Sequence, residues 1–167
     1  MTSTTQEDNT LSYRRALGSF ATGVVVITTE EGGQTFGLTV NSFTSVSLEP
    51  PLVLWCLGDE SDRYALFSRA DRFVVNVLPA SARDVSERFA RTGGLLLPDD
   101  LATPDGQPSQ RSGLKGALTC LACVTRDRIG IGDHLVIVGE VEAFETRDGD
   151  GLVYFRSQYG RAVVQEA

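Results

Sequence analysis

Residues 41–47 hold Asn41, Ser42, Thr44, Ser45 and Ser47, five small hydrogen-bonding side chains in seven positions between two apolar stretches. Such a segment can offer hydroxyls, an amide and free backbone N–H groups to a polar, planar, phosphate-bearing ligand without spending a charge. An ordinary Ser/Thr-rich connection has the same composition, so local chemistry alone leaves both readings open. The single histidine, His134, follows Asp133 after a glycine turn and opens an apolar run. There an imidazole can contact a ligand or balance an anion, or simply be a partly exposed structural side chain.

Several catalytic engines are excluded. There is no G-x-x-x-x-G-K-[ST] and no G-x-S-x-G, and Gly130-Ile131-Gly132 has Leu135 where a dinucleotide fingerprint needs its third glycine. One histidine cannot build a multi-histidine metal site, and no Cys/His cluster has zinc spacing. Cys120 and Cys123 have C-x-x-C spacing but lie in 117-ALTCLACVT-125, which reads as a strand. Three residues apart on a strand, their thiols point to opposite faces and are read as small core residues. A net charge of −7 argues against a nucleic-acid partner. What survives is a protein that binds an organic cofactor and leaves the chemistry to it.

The elements that would position these residues are mostly strands. At 167 residues the chain suits one domain over 10–167, after a disordered tail at 1–9. Thr10 is the expected cap of an amphipathic helix over 11–20, with Tyr13, Leu17 and Phe20 on one face. Strands are expected at 24–29, 36–41, 52–57, 73–78, 117–130, 134–147 and 152–155. The glycine pair at 32–33 joins the first two as a hairpin. Ser61 is the expected cap of a helix whose first turn could bind an anion, and 81-SARD-84 reads as a capping box for a helix burying Val85 and Phe89. Residues 92–116, rich in Gly and Pro, read as a long mobile loop, and Tyr159, Gly160 and Arg161 lead into the tail. Hairpin spacing throughout points to a mainly β protein, an antiparallel barrel with a few flanking helices. No stretch is long and apolar enough for a membrane span, and the polar first ten residues do not resemble a signal peptide, so a cytoplasmic location is expected.

Four segments, 20-FATGVVVITT-29, 37-GLTVNSFTSVSLEPPLVLWCL-57, 73-FVVNVL-78 with 88-RFA-90, and 132-GDHLVIVGEVEA-143, together resemble the short-chain flavin reductases. These are the reductase components of two-component flavin-dependent monooxygenases, with an FMN-binding split barrel. The resemblance implies an enzyme that oxidises NADH or NADPH, reduces FMN or FAD, and passes reduced flavin to a separate monooxygenase. It also implies a homodimer with the flavin near the subunit interface. By the same resemblance, Asn41, Ser42, Thr44 and Ser45 meet the isoalloxazine edge and ribityl chain, with Thr39 and Val46 in the same cofactor-binding set. Ser47 and Ser61 would be phosphate-side ligands, and Arg88, Phe89 and Ala90 would line the phosphate and nucleotide end. His134 would position the nicotinamide. Between Gly93 and Gly116 the chain carries LLLPDDLATPDGQPSQRSGLK in place of the aromatic-bearing stretch usual in that family, on the side that borders substrate. The alternatives are a split-barrel flavin-binding module without turnover, a flavin-dependent oxidase of the same superfamily, and a lipocalin-like carrier, for which the polar loop is a poor lining.

Overall fold

The structure, a computed structural model, describes residues 3–91, 93–101 and 113–163, with side chains from residue 8 onward. Its larger sheet has seven antiparallel strands: β2 (Val25–Glu31), β3 (Gln34–Val40), β4 (Thr44–Leu48), β5 (Pro51–Gly58), β6 (Arg72–Val77), β7 (Thr119–Ile131) and β8 (His134–Thr146). Their spatial order is β3-β2-β6-β7-β8-β5-β4. A flat sheet could not send one face of six of these strands, all but β4, into one cluster. Here Val25, Ile27, Leu38, Val53, Trp55, Leu57, Phe73, Val75, Cys123 and Ile137 form a single buried core, closed at one end by Phe67 of the four-residue helix α2 (Tyr64–Phe67). The sheet is therefore curled into a barrel. No ladder joins its outer strands β3 and β4 among the described residues, so the barrel is split there.

A second core lies outside the wall. Val24, Val26, Val74, Leu78 and Cys120 pack against Phe89 of helix α3 (Arg83–Ala90), Leu96, Leu114 and Leu152. A small sheet, β1 (Thr22–Gly23), β9 (Gly151–Phe155) and β10 (Gln158–Ala162), flanks this core. Cys120 belongs to the outer core and Cys123 to the inner, as strand alternation requires. Burial pushes both thiols up, to about 11 and about 12, so they are inert as nucleophiles at neutral pH.

Several boundaries differ from the sequence reading. Helix α1 runs Ser3–Leu17, starting seven residues before the expected Thr10 cap, and its expected apolar face is open: Tyr13, Leu17 and Phe20 are all exposed. The segment read as a polar loop is in part the edge strand β4, paired with β5 and bulged at Val46. Tyr159–Arg161 belong to β10, not to a tail. Ala82 precedes α3 without a side-chain cap, so the capping box does not form. Parts of the 92–116 segment are anchored: Phe36 bridges Leu95, Leu101 bridges Leu114, and Leu96 and Leu114 are buried. Its middle lies outside the described residues.

Candidate functional site

The β3–β4 link and its surroundings use some of the predicted hydroxyls and leave others open. Ser42 Oγ accepts the Cys56 N–H at 2.9 Å and donates back to Cys56 O at 3.3 Å, which extends the β4–β5 pairing past Thr44. Thr39 Oγ1 donates to Ser86 O of α3 at 2.8 Å, and Thr44 Oγ1 donates to Ser45 O at 3.3 Å. The side chains of Asn41, Ser45 and Ser47 have no hydrogen-bond partner among the described residues; Asn41 and Ser45 are exposed, and Val46 at the bulge is half-exposed. The open groups are thus neutral donors and acceptors on one edge of the barrel.

His134 belongs to the same end. It opens β8 directly opposite Gly58, the last residue of β5, while Cys56 pairs with Val136 on one side and holds Ser42 on the other. Trp55 and Leu57 point into the barrel, so Cys56, Gly58 and His134 face outward. The polar link and the imidazole therefore flank the end of β5, about 10 Å apart at two strand spacings. A Cβ on Gly58 would stand 3.6 Å from His134 Nε2, so the glycine leaves room for the ring. His134 Nδ1 and Asp133 Oδ1 are 2.7 Å apart, and this hydrogen bond is the main cause that holds the Asp133 carboxyl below its usual range. Nε2 is the ring atom left toward Gly58.

The β5–α2 turn and α3 are tied together by a residue that no local pattern marks. Arg63 is only 6% exposed. Its Nη1 donates to Gly37 O at 2.7 Å and Phe89 O at 3.0 Å, its Nη2 to Arg91 O at 2.7 Å, and its Nε to Asp62 Oδ1 at 3.0 Å. Asp62 Oδ2 accepts the Gly93 N–H at 2.9 Å, the main cause that lowers its pKa. Ser61 Oγ accepts the Arg63 N–H at 3.3 Å, but Arg63 and not Ser61 stands at the cap position of α2, and four residues are too short to build the expected anion-binding helix start. Arg88 is occupied: it forks onto Asp100 at 2.8 Å through both Nη atoms, donates to Leu95 O at 3.2 Å, and lies 4.8 Å over the Phe89 ring. A phosphate would have to share this guanidinium with Asp100. Phe89 is fully buried and serves packing, whereas Ala90 is exposed.

The structure separates two residues expected to serve one phosphate. Ser47 pairs with Leu52 near the start of β5, and Ser61 follows its end at Gly58, about 20 Å of strand away. Within one chain they cannot grip the same phosphate. Two further groups escaped sequence reasoning because their partners are distant in the chain: Asn76, fully buried in β6, and the Ser86–Tyr159 hydroxyl pair at 2.9 Å behind Thr39. A concavity of about 710 Å³ lies at the other end of β3 around Thr29, Glu31, Arg69 and Arg72 and includes none of these site residues. Both arginines of its rim are already paired, Arg69 with Glu31 and Arg72 with Glu142, so size alone gives it no chemistry.

Comparison with known proteins gives the chain a family. The profile of the flavin reductase like domain matches residues 17–162. The FMN reductase (NADH) SmoA of Agrobacterium fabrum is 41% identical over 157 residues, covering 92% of this chain and 87% of that protein. The reductase subunit HsaB of a flavin-dependent monooxygenase of Mycobacterium tuberculosis is 38% identical, covering 89% and 80%. The chain spans 47% of the length of some other curated relatives that it matches. The Streptomyces globisporus NADH:FAD oxidoreductase SgcE6, solved with NAD and FAD fragments, superposes with a TM-score of 0.84 at 30% identity, covering 93% of this chain and 94% of that one.

Proposed function

The chain belongs to the flavin reductase-like family, and on that premise we propose that it moves a hydride from NADH or NADPH to FMN or FAD and releases the reduced flavin to a partner monooxygenase. The observation that carries this reading is the pairing of an open, uncharged hydrogen-bonding edge, Asn41 with Ser45, with His134 on the other flank of β5. Asn41 and Ser45 are neutral partners without prior commitments, which suits the polar rim of an isoalloxazine ring, and Thr39 and Ser42 keep a free lone pair or backbone group beside them. Bound flavin supplies the electron acceptor that the chain itself lacks. The protein's part is orientation: two stacked rings react at about 3–3.5 Å, and donors fixed along one edge stabilise charge as it develops there. His134, held through Nδ1 by Asp133, presents Nε2 beside Gly58 and positions the nicotinamide without needing to exchange a proton.

An open site of neutral groups also suits a flavin that must leave. The reading places the protein in the cytoplasm, with the reduced nicotinamide pool it draws on, and makes it a homodimer. Ile131 pairs with His134 and Ile129 with Val136, so two exposed apolar side chains lie on the same outer face as the imidazole. A second copy covering that face would also close the flavin site, and sedimentation should give twice the chain mass. The decisive assay crosses NADH and NADPH against FMN, FAD and riboflavin and follows loss of the nicotinamide absorbance; no turnover with any pair overturns the reading. His134→Ala should raise the apparent KM for the nicotinamide by roughly tenfold, as expected for one lost positioning contact, while flavin affinity stays near wild type. Equal weakening of both ligands would remove the role given to this residue.

A further inference from the structure

Arg63 is the most buried cation described in the chain, and nothing in hydride transfer uses it. Four of its five N–H donors are spent inside the protein, on Gly37 O, Phe89 O, Arg91 O and the Asp62 carboxylate, and the side chain is buried. It is therefore not a direct ligand. What it joins is informative. Its backbone N–H holds the Ser61 hydroxyl, and its guanidinium holds the carbonyls at the end of α3, next to Arg88 and Ala90. Ser61 and the 88–90 segment are two of the three parts of the chain read as the phosphate side of the flavin site, and the third, Ser47, lies at the far end of β5. We propose that Arg63 is a positioning residue that fixes these two segments relative to one another and so sets the site's preference for a phosphorylated flavin.

Two features make the brace rigid. Asp62 bridges from Arg63 to the Gly93 N–H, and Gly94 adopts φ +66 with its carbonyl accepting the Gly37 N–H at 2.7 Å. A Cβ at Gly94 would meet Gly37 O at 2.3 Å and Arg63 Nη1 at 2.6 Å, so backbone and guanidinium are packed with no slack. The buried charge has a second consequence. The exposed carbonyls at a helix C-terminus carry partial negative charge that would repel an incoming phosphate, and Arg63 neutralises those of Phe89 and Arg91. A planar fork that reaches three carbonyls at once is specific to arginine, so lysine keeps the charge and loses the geometry.

This inference rests on the flavin reading, and its test separates the two. Dissociation constants of FMN and of riboflavin, which lacks the phosphate, are measured by flavin fluorescence for wild type and Arg63→Lys, with thermal unfolding alongside. The expected result is a loss of about tenfold for FMN, the worth of one misaligned charge-assisted hydrogen bond, with riboflavin changed by less than about twofold. Equal loss for both flavins, or an unchanged ratio, overturns the proposal. Should Arg63→Lys fail to fold, Asp62→Asn keeps the three carbonyl contacts and loosens only the carboxylate arm; it should shift the ratio the same way by about threefold, and an unmoved ratio overturns the proposal equally. A wild-type chain that binds neither flavin overturns the flavin reading itself.

Discussion

Trp55→Ala should lower the free energy of unfolding by about 3–5 kcal/mol, a large part of the roughly 5–15 kcal/mol typical of a domain. Trp55 is fully buried at the middle of β5 and meets Phe67 and Phe73 edge to face, with ring centroids 5.8 and 6.0 Å apart. Its removal leaves a cavity that strands on every side cannot collapse to fill, because each is held by its own ladder. The cost should appear as a shifted urea midpoint with the slope preserved. Trp55→Phe is the sharper comparison. The indole N–H is buried with no partner among the described residues, so phenylalanine gives up volume but no hydrogen bond, and it removes an unsatisfied donor. Its cost should stay below about 2 kcal/mol, because the phenyl ring fills most of the space that alanine would leave empty. A Phe variant as unstable as the Ala variant would show that the N–H does bond in solution. Because Cys56–Gly58 carry the site on either flank, the Ala variant should lose flavin reduction in step with its folded fraction.

What was legible in the chain tracks what depends on neighbours in sequence. The β2–β3 hairpin follows from Gly32 and Gly33, which adopt φ +60 and +76 as a tight two-residue turn requires. The β9–β10 hairpin was hidden because Arg156 and Ser157 take the same kind of conformation, at φ 49 and 61, without glycine or asparagine to announce it. Strand β4 was read as a loop because an exposed edge strand has no buried face to impose alternation, and Ser45, Val46 and Ser47 are interrupted by a bulge. The face of α1 was legible as amphipathic, but nothing among the described residues covers it. At the site, Thr39 to Ser47 came together because they are contiguous, and His134 joined them through strand register. Arg63 and Asn76 were invisible for the opposite reason: most of their partners lie 26 to 50 positions away, and no local pattern marks a polar residue that the fold will bury.

Asn76→Asp should convert a pH-indifferent core position into one whose cost grows with pH. Asn76 is fully buried and uses both ends of its amide. Nδ2 donates to Val26 O at 2.9 Å, Thr28 Oγ1 at 3.1 Å and Val74 O at 3.3 Å, and Oδ1 accepts the Leu114 N–H at 2.7 Å and the Cys120 thiol at 3.5 Å. A protonated carboxyl can still donate toward Val26 O and accept from Leu114; an ionised one would set its charge against two carbonyl oxygens in an apolar core. Burial therefore raises the folded pKa of the new carboxyl, by up to about 3–5 units for a fully buried group, above the unfolded value of about 3.9. The folded state then binds more protons than the unfolded state, so stability is kept below about pH 4 and falls by roughly 1.4 kcal/mol per unit as pH rises toward the folded pKa. Relative to wild type at the same pH, the variant should be only mildly destabilised at pH 4 and weaker by about 4 kcal/mol at pH 7. Urea titrations of both proteins at the two pH values would check this, and a pH-independent difference would show that water reaches the side chain. The same bond explains why the position matters for the site. Leu114 N–H on Asn76 anchors the segment after α3 at its far end, as Arg88–Asp100 and Arg63 anchor it at its near end. On ionisation the carboxylate still accepts the Leu114 N–H and loses its bond to Val26 O, so raising the pH of Asn76→Asp should accelerate hydrogen exchange in β2 and β6 beside Val26 and Val74 before that of the Leu114 amide.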